Sequence, residues 1–327
     1  MSEPAVGAPG VPLSGRRGPR PVPRESASRC ALQAQLRGDP MLGTAPPSAR
    51  LLLVEQPGPW GPRGLVGSRA DPEVAERIDR LAAAAGLRLQ AIRRPGRHAD
   101  RGAGGHVVAV ADARIGVHTT TWWRVASLAE LADQLEEGVQ AGQFRLPGGT
   151  VVDHDPVYLV CTHGKHDACC ALRGRPVVLE LARIRPGRVW ETSHVGGDRF
   201  AANLLVLPTG EVYGRVLPFA AEDLVGRIES GEVVPGLMRG RLGLSPIAQA
   251  ALVTAYDRLA VTARDALTVG TVDQVSPTLA NVTVLSPHGT VVVGVAIETS
   301  SPQRLTCRGP AQATARVYRG VSVTAAS

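Results

Sequence analysis

The chain has 327 residues, 44% of them hydrophobic, and a formal net charge of +7, a length that suggests about two domains, each able to bury a core. No run of about 18 apolar residues exists and the N-terminus lacks the apolar stretch of a signal peptide, so we expect a soluble cytoplasmic protein whose thiols stay reduced or bind metal. The charge does not read as a nucleic-acid signature: all but one of the 36 basic residues are arginines, Lys165 being the exception, acids are interspersed among them, and aromatics make up 3%.

Residues 1–28 are rich in Pro, Gly, Arg and Ser without periodicity and are expected to be a disordered tail. Residues 29–145 form a first unit. "RLLLVEQ" is an apolar run of strand length. "DPEVAERIDRLAAAAG" starts as a helix at Asp71-Pro72, keeps Val74, Ile78, Leu81 and Ala85 on one face, and stops at Gly86. "LRLQAIRR" alternates like a strand, and "HVVAVADARIGVHTTTW" reads as a hairpin turning at Asp112-Ala113. "SLAELADQLEEG" is a helix capped by Ser127, with Glu130 completing a capping box.

Residues 150–235 follow the same order: strand "PVYLVC", helix "RPVVLELARI", strand "RVWETS", hairpin "NLLVLPTGEVYGRV" turning at Pro208-Thr209-Gly210, and helix "FAAEDLVGRIESG". Strand, helix, strand, hairpin, helix thus occurs twice at a spacing of about 105 residues. We read this as an α/β fold of two thioredoxin-like halves in tandem, each a central sheet with helices on its faces. Residues 244–327 form a small appendage. It opens with the helix "SPIAQAALVTAYDRLAVTARDAL", which carries Leu252, Tyr256, Leu259, Ala263 and Leu267 on one face. The short strands "NVTVLSP", "TVVVGVAIE", "QRLTC" and "ARVYRGVSV" follow as an antiparallel sheet.

Three of the chain's five cysteines fall within "CTHGKHDACC", residues 161–170. Cys161 ends a strand, Cys170 lies near the start of the next helix, and Gly164 gives the loop between them freedom to wrap a bound group. About 24 residues on, "WETSHVGGDRF" sets His194 at a strand end before Gly196, Gly197 and Asp198, with adjacent glycines able to bring backbone N–H groups close to a ligand. Thiolates and imidazole suit iron or zinc. Neither half has a Cys-x-x-Cys, so disulfide exchange of the thioredoxin kind lacks its dithiol. For Cys161 and Cys170 the alternative to ligation is a pair of buried structural thiols. Cys169, beside Cys170, reads better as a buried thiol than as a ligand, and His163 and His166 read as exposed loop residues able to donate protons. Arg199 and Lys165 would bring positive charge near an anionic centre. Cys30 and Cys307 receive no chemistry from the sequence.

These strings, together with "RCALQAQLRGDPMLGTAPPSARLLLVEQPGPWG" and "RLTC", resemble the sucrase/ferredoxin-like family, a branch of thioredoxin-like [2Fe–2S] ferredoxins. In that family a Cys-x8-Cys pair and a His-x-Gly-Gly-His pair hold the cluster. Cys161 and Cys170 match the first pair and His194 matches the first histidine, but Asp198 stands where the second histidine would be. The resemblance implies a cluster held by Cys161, Cys170, His194 and Asp198, unless Asp198 stands behind the ligands and His163, His166 or Cys169 supplies the fourth bond. A carboxylate ligand should lower the potential relative to two histidines. The first half has "VEQPGPWG" at the corresponding strand end, so it would buttress the second half or shape the site through Trp60. The resemblance further implies an electron carrier with a redox partner protein, while composition and hydropathy leave no expectation of nucleic acid or membrane as partner. Glycoside hydrolysis would need a defined carboxylate pair, and nothing in the sequence singles one out. The competing expectations are a zinc-stabilised or metal-free interaction module, and an oxidoreductase whose thiols react directly.

Overall fold

The computed structural model describes residues 28–96, 104–142 and 148–326. The expected disordered tail therefore lies, apart from Ser28, outside the described residues. A short helix, α1 (Cys30–Leu36), precedes the first sheet and is too brief for periodicity to reveal. The first half then runs β1 (Arg50–Glu55), α2 (Pro72–Ala84), β2 (Arg88–Arg93), β3 (His106–Asp112), β4 (Thr119–Val125) and α3 (Leu128–Gln140). The second half runs, after a short edge strand β5 (Val151–Asp153), β6 (Val157–Cys161), α4 (Ala168–Ile184), β7 (Val189–Thr192), β8 (Leu204–Leu207), β9 (Glu211–Tyr213), α5 (Ala221–Glu229) and β10 (Met238–Arg241).

The expected caps form. Asp71 accepts from the amides of Glu73 and Val74, and Ser127 accepts from that of Glu130. Helix α4 starts seven residues before the apolar run suggested, because Asp167 caps it by accepting the Cys169 N–H at 2.8 Å. Both cysteines of the Cys169-Cys170 pair therefore sit in its first turn.

All ten strands of the two halves belong to one curled sheet, in the order β10-β9-β8-β6-β7-β2-β1-β3-β4-β5. In each half one strand pairs in parallel across a helix (β1 with β2, β6 with β7) and antiparallel with the following hairpin. The halves meet where β2 and β7 run antiparallel, over only two residue pairs, Ile92 with Thr192 and Arg93 with Glu191. Helices α2 and α3 cover one face of the first half, burying Leu52, Val54, Ile78, Leu131 and Leu135. Helices α4 and α5 cover the second, against Tyr158, Val160, Leu204 and Val206. The other face of the sheet curls on itself, so Leu51, Leu53 and Ile92 pack with Leu159, Trp190 and Leu205 of the second half in one core. Burying both faces is what makes β1 and β6 read as unbroken apolar runs.

The C-terminal part is a helix and a four-stranded antiparallel sheet, with two departures from expectation. Helix α6 (Pro246–Arg258) ends nine residues before Leu267, at a turn where Ala260 takes φ 53°. It lies between the two sheets, so Ala248–Tyr256 are buried all round and the expected single apolar face does not exist. The second sheet is β11 (Thr268–Ser276), β12 (Leu279–Ser286), β13 (Gly289–Thr299) and β14 (Arg316–Ala325). "QRLTC" is not one of its strands. Only Gln303 bridges to Ala313, and the remainder turns so that Cys307 faces α4. No helix among the described residues is long and apolar enough to cross a membrane.

Candidate metal centre

Cys161 is the last residue of β6, and its carbonyl lies under α4. A Cβ on Gly174 would come within 2.2 Å of that oxygen, so only glycine lets the helix approach the strand end this closely. Cys170, in the helix's first turn, faces Cys161, and His194 arrives from the end of β7. One ligand atom from each of Cys161, Cys170 and His194 lies within 4.8 Å of the others. Asp198 closes the group: its Oδ1 is 3.1 Å from Cys170 Sγ and 2.9 Å from His194 Nδ1. His194 Nδ1 is buried and, despite that proximity, has no well-aligned hydrogen-bond acceptor.

His166 packs on the outer side, its ring stacked on that of His194 at 3.7 Å and its Nε2 3.6 Å from Asp198 Oδ2. His166, His194 and Asp198 make a second ligand-capable group that shares His194 with Cys161 and Cys170. Cys161 and Cys170 have no solvent exposure, whereas the His194 and His166 side chains are 25% and 35% exposed. The imidazoles thus form the solvent edge of a buried thiol pair.

Electrostatics follow from this crowding. The Cys170 thiol donates to Cys161, which holds Cys161 well below the usual thiol range against the opposing effect of burial. Cys170 is correspondingly pushed well up. Burial opposes the imidazolium of His194, but Asp198 and the Cys161 thiolate outweigh it and raise His194 to about 9. Burial likewise opposes the Asp198 carboxylate, and its pairing with His194 more than compensates, so its pKa falls. The shifts of Cys161, His194 and Asp198 all favour their charged forms within a small buried volume, where a cation replacing protons would be well placed.

His163 is not the exposed loop residue its setting suggested. It is 2% exposed, its Nε2 lies 2.6 Å from the Gly61 carbonyl, and its Nδ1 accepts the His194 backbone N–H at 3.2 Å. That pairing assigns the proton to Nε2 and commits both ring nitrogens, so His163 positions His194. Trp60 comes from the first half, and its indole meets the His163 ring edge-on at 5.8 Å. Arg88 and Gln90 also donate to the His194 carbonyl, each at 3.3 Å. Cys169 points away from Cys161 and lies with Cys30, Cys307 and Asp167. Lys165 is exposed, whereas Arg199 is largely buried, 3.8 Å from Asp39.

Gly196 and Gly197 take φ of 80° and 69°, a region that strongly favours glycine. Their carbonyls are pinned, Gly196 by Arg239 Nη1 at 3.0 Å and Gly197 by Asn203 Nδ2 at 2.9 Å. Arg239 is fully buried, and loss of hydration lowers its pKa to about 10. It also donates to Asn203 Oδ1 at 2.8 Å and to Thr44 Oγ1 at 3.0 Å. Nothing in the sequence separates it from the chain's other arginines, since its role depends on burial alone.

A family model described as sucrase/ferredoxin-like matches residues 41–240, more than half of the chain. Among curated proteins, "Altered inheritance of mitochondria protein 32" of Candida glabrata is 27% identical over 106 residues, which is 28% of this chain and 34% of that protein. The chain therefore matches only about a third of that relative's length. No solved structure matches the chain.

Proposed function

The chain belongs to the sucrase/ferredoxin-like family, and from that premise we propose that it is an electron carrier whose [2Fe–2S] cluster is held by Cys161, Cys170, His194 and Asp198, in a half of thioredoxin-like build. The observation that carries this reading is the convergence of two buried thiols, an imidazole and a carboxylate at the ends of β6 and β7. Two sulfurs, one nitrogen and one oxygen form a donor set that iron accepts. When bound, the cluster supplies a one-electron couple.

The protein's own residues perform the remaining tasks. His163 holds the His194 backbone, and Arg239 with Asn203 holds the glycine turn. Burial excludes water from the thiols and leaves the imidazoles of His166 and His194 as the face a redox partner would meet. A groove beside them, lined by Trp60, Arg93, Lys165 and Arg175, is basic and suits an acidic partner surface. The same burial argues against the thiols reacting directly with solutes.

A second reading has its own support. The donors stand close enough for one ion, whereas a diiron cluster would have to part Cys170 from Asp198, now 3.1 Å apart. That closeness favours a single zinc. The visible spectrum of anaerobically purified protein, with iron, zinc and acid-labile sulfide measured on one sample, separates the two. Red-brown colour with about two irons and two sulfides per chain, lost in Cys161→Ser, is the expected result. Colourless protein that resists reconstitution and retains zinc overturns the electron-carrier reading.

A further inference from the structure

The two cysteines for which the sequence suggested no chemistry meet the third that the candidate centre leaves out. Cys30 comes from α1, Cys169 from the first turn of α4, and Cys307 from the turn before β14. They are 139 and 138 residues apart along the chain. Their sulfurs form a nearly regular triangle: Cys30 to Cys169 is 3.6 Å, Cys169 to Cys307 is 3.4 Å, and Cys307 to Cys30 is 3.6 Å. The Asp167 carboxylate stands over one vertex, its oxygens 3.7 and 3.8 Å from Cys30 Sγ. It is oriented by the backbone N–H groups of Cys169 at 2.8 Å and Cys307 at 2.5 Å.

We propose that Cys30, Cys169, Cys307 and Asp167 bind a structural zinc ion, separate from the centre at Cys161. A tetrahedral zinc with bonds of about 2.3 Å to sulfur and about 2.0 Å to oxygen places sulfurs about 3.8 Å apart and sulfur about 3.5 Å from oxygen. The observed sulfur triangle and the Cys30–Asp167 distance lie within a few tenths of an ångström of those figures, and all four ligand atoms lie within 4.8 Å of one another. A disulfide needs sulfurs about 2.05 Å apart and would leave one of three mutually touching thiols over. Cys30, Cys169 and Asp167 are fully buried and Cys307 is partly so, the closed surroundings of a structural rather than a catalytic zinc. Arg29 hydrogen-bonds Cys307 and offsets the excess negative charge of three thiolates and a carboxylate.

The ion would fasten the start of the described chain and its C-terminal arm onto α4, beside the loop that carries Cys161 and His166. Clips that close long loops constrain the unfolded chain most. The inference stands whether the neighbouring centre holds iron, zinc or nothing, since it uses none of that centre's residues.

The test uses the full chain, produced with zinc supplied and purified under reducing conditions without chelator. Measured on Cys161→Ser, in which the other centre is disabled, the expected content is about one zinc per chain, with an X-ray absorption shell of three sulfurs and one lighter atom. Cys307→Ser in the otherwise native chain should lose that zinc yet keep the visible spectrum and iron content of the parent. Cys30→Ala should behave alike, and circular dichroism of both variants reports whether the fold survives. Absence of zinc from the Cys161→Ser chain, a shell with fewer than three sulfurs, or zinc retained when Cys307→Ser is combined with Cys161→Ser overturns the proposal. So does peptide mapping that finds two of the three cysteines joined as a disulfide in the native protein.

Discussion

Gly197 sits at φ 69°, and a Cβ there would lie 2.4 Å from Arg239 Nη2. Gly197→Ala therefore meets two costs together, a left-handed backbone of about 1 kcal/mol and displacement of a buried guanidinium. We expect a loss of roughly 2–3 kcal/mol in denaturant unfolding. Unchanged stability would mean that Arg239 has room to move. Arg239→Met removes the charge but strands the Gly196 carbonyl, Asn203 Oδ1 and Thr44 Oγ1. A loss of about 3 kcal/mol is expected, measured by urea titration. A near-neutral outcome would show that the glycine turn holds itself.

At this level the sequence was informative where chemistry is local. Cys161, Cys170 and His194 stand out by spacing and residue type, and the structure brings one ligand-capable atom from each together. His163 was misplaced because its burial comes from Gly61 and Trp60, about 100 residues earlier, which no local pattern records. Cys30 and Cys307 were silent for the same reason: their meaning is their contact with Cys169.

Glu229 fastens the end of helix α5 to two neighbouring elements. Glu229 accepts Tyr158 O–H at 2.9 Å from β6 and Arg185 Nε at 2.7 Å from the end of α4. The Arg185 hydrogen bond, with smaller help from Tyr158, holds Glu229 below the usual glutamate range. A group depressed in the folded state stabilises above its unfolded pKa of about 4.3 and loses that contribution as pH falls through the folded value. Glu229→Gln should thus lower the urea midpoint near pH 7, while parent and variant converge in acid once the folded parent's carboxylate is protonated. A gap that persists in acid would assign the effect to packing or hydrogen bonding of the neutral group.

Elements with strong signals, such as α2 with its Asp71 cap and the hairpin at Gly210, were foreseen because capping and turn chemistry are written in neighbouring residues. The start of α4 was missed because "DACC" is not an apolar face, and α6 was overextended because a helix buried all round has no polar side to mark its limits. The edge strands β5 and β10, three and four residues long, are made by their partners more than by their own composition.

The whole molecule depends on a narrow seam. One sheet runs through both halves, yet β2 and β7 share only two residue pairs, and the candidate metal centre stands directly beside that junction. What the backbone lacks there the side chains supply. Arg93 donates through Nε to Glu191 Oε2 at 3.0 Å, through Nη1 to the Gly58 carbonyl at 2.8 Å, and lies over the Trp60 ring at 4.3 Å. Glu191 also accepts the Thr162 hydroxyl at 2.5 Å, one residue beyond Cys161. The pair is mostly buried, with 17% and 12% side-chain exposure, so it escapes much of the screening that makes surface pairs weak. A double-mutant cycle of Arg93→Ala and Glu191→Ala should return a coupling of about 1–2 kcal/mol, since both residues belong to one hydrogen-bonded network. Each single variant should also quicken amide exchange in 88–93 and 189–193 before it affects the outer strands, because local opening starts where contacts are fewest. Coupling below about 0.3 kcal/mol would instead mean that the shared core of Leu53, Leu159 and Trp190 holds the halves together unaided. In that case the ion pair would serve the site alone, by fixing Thr162 and Trp60 around the loop that carries Cys161 and His163.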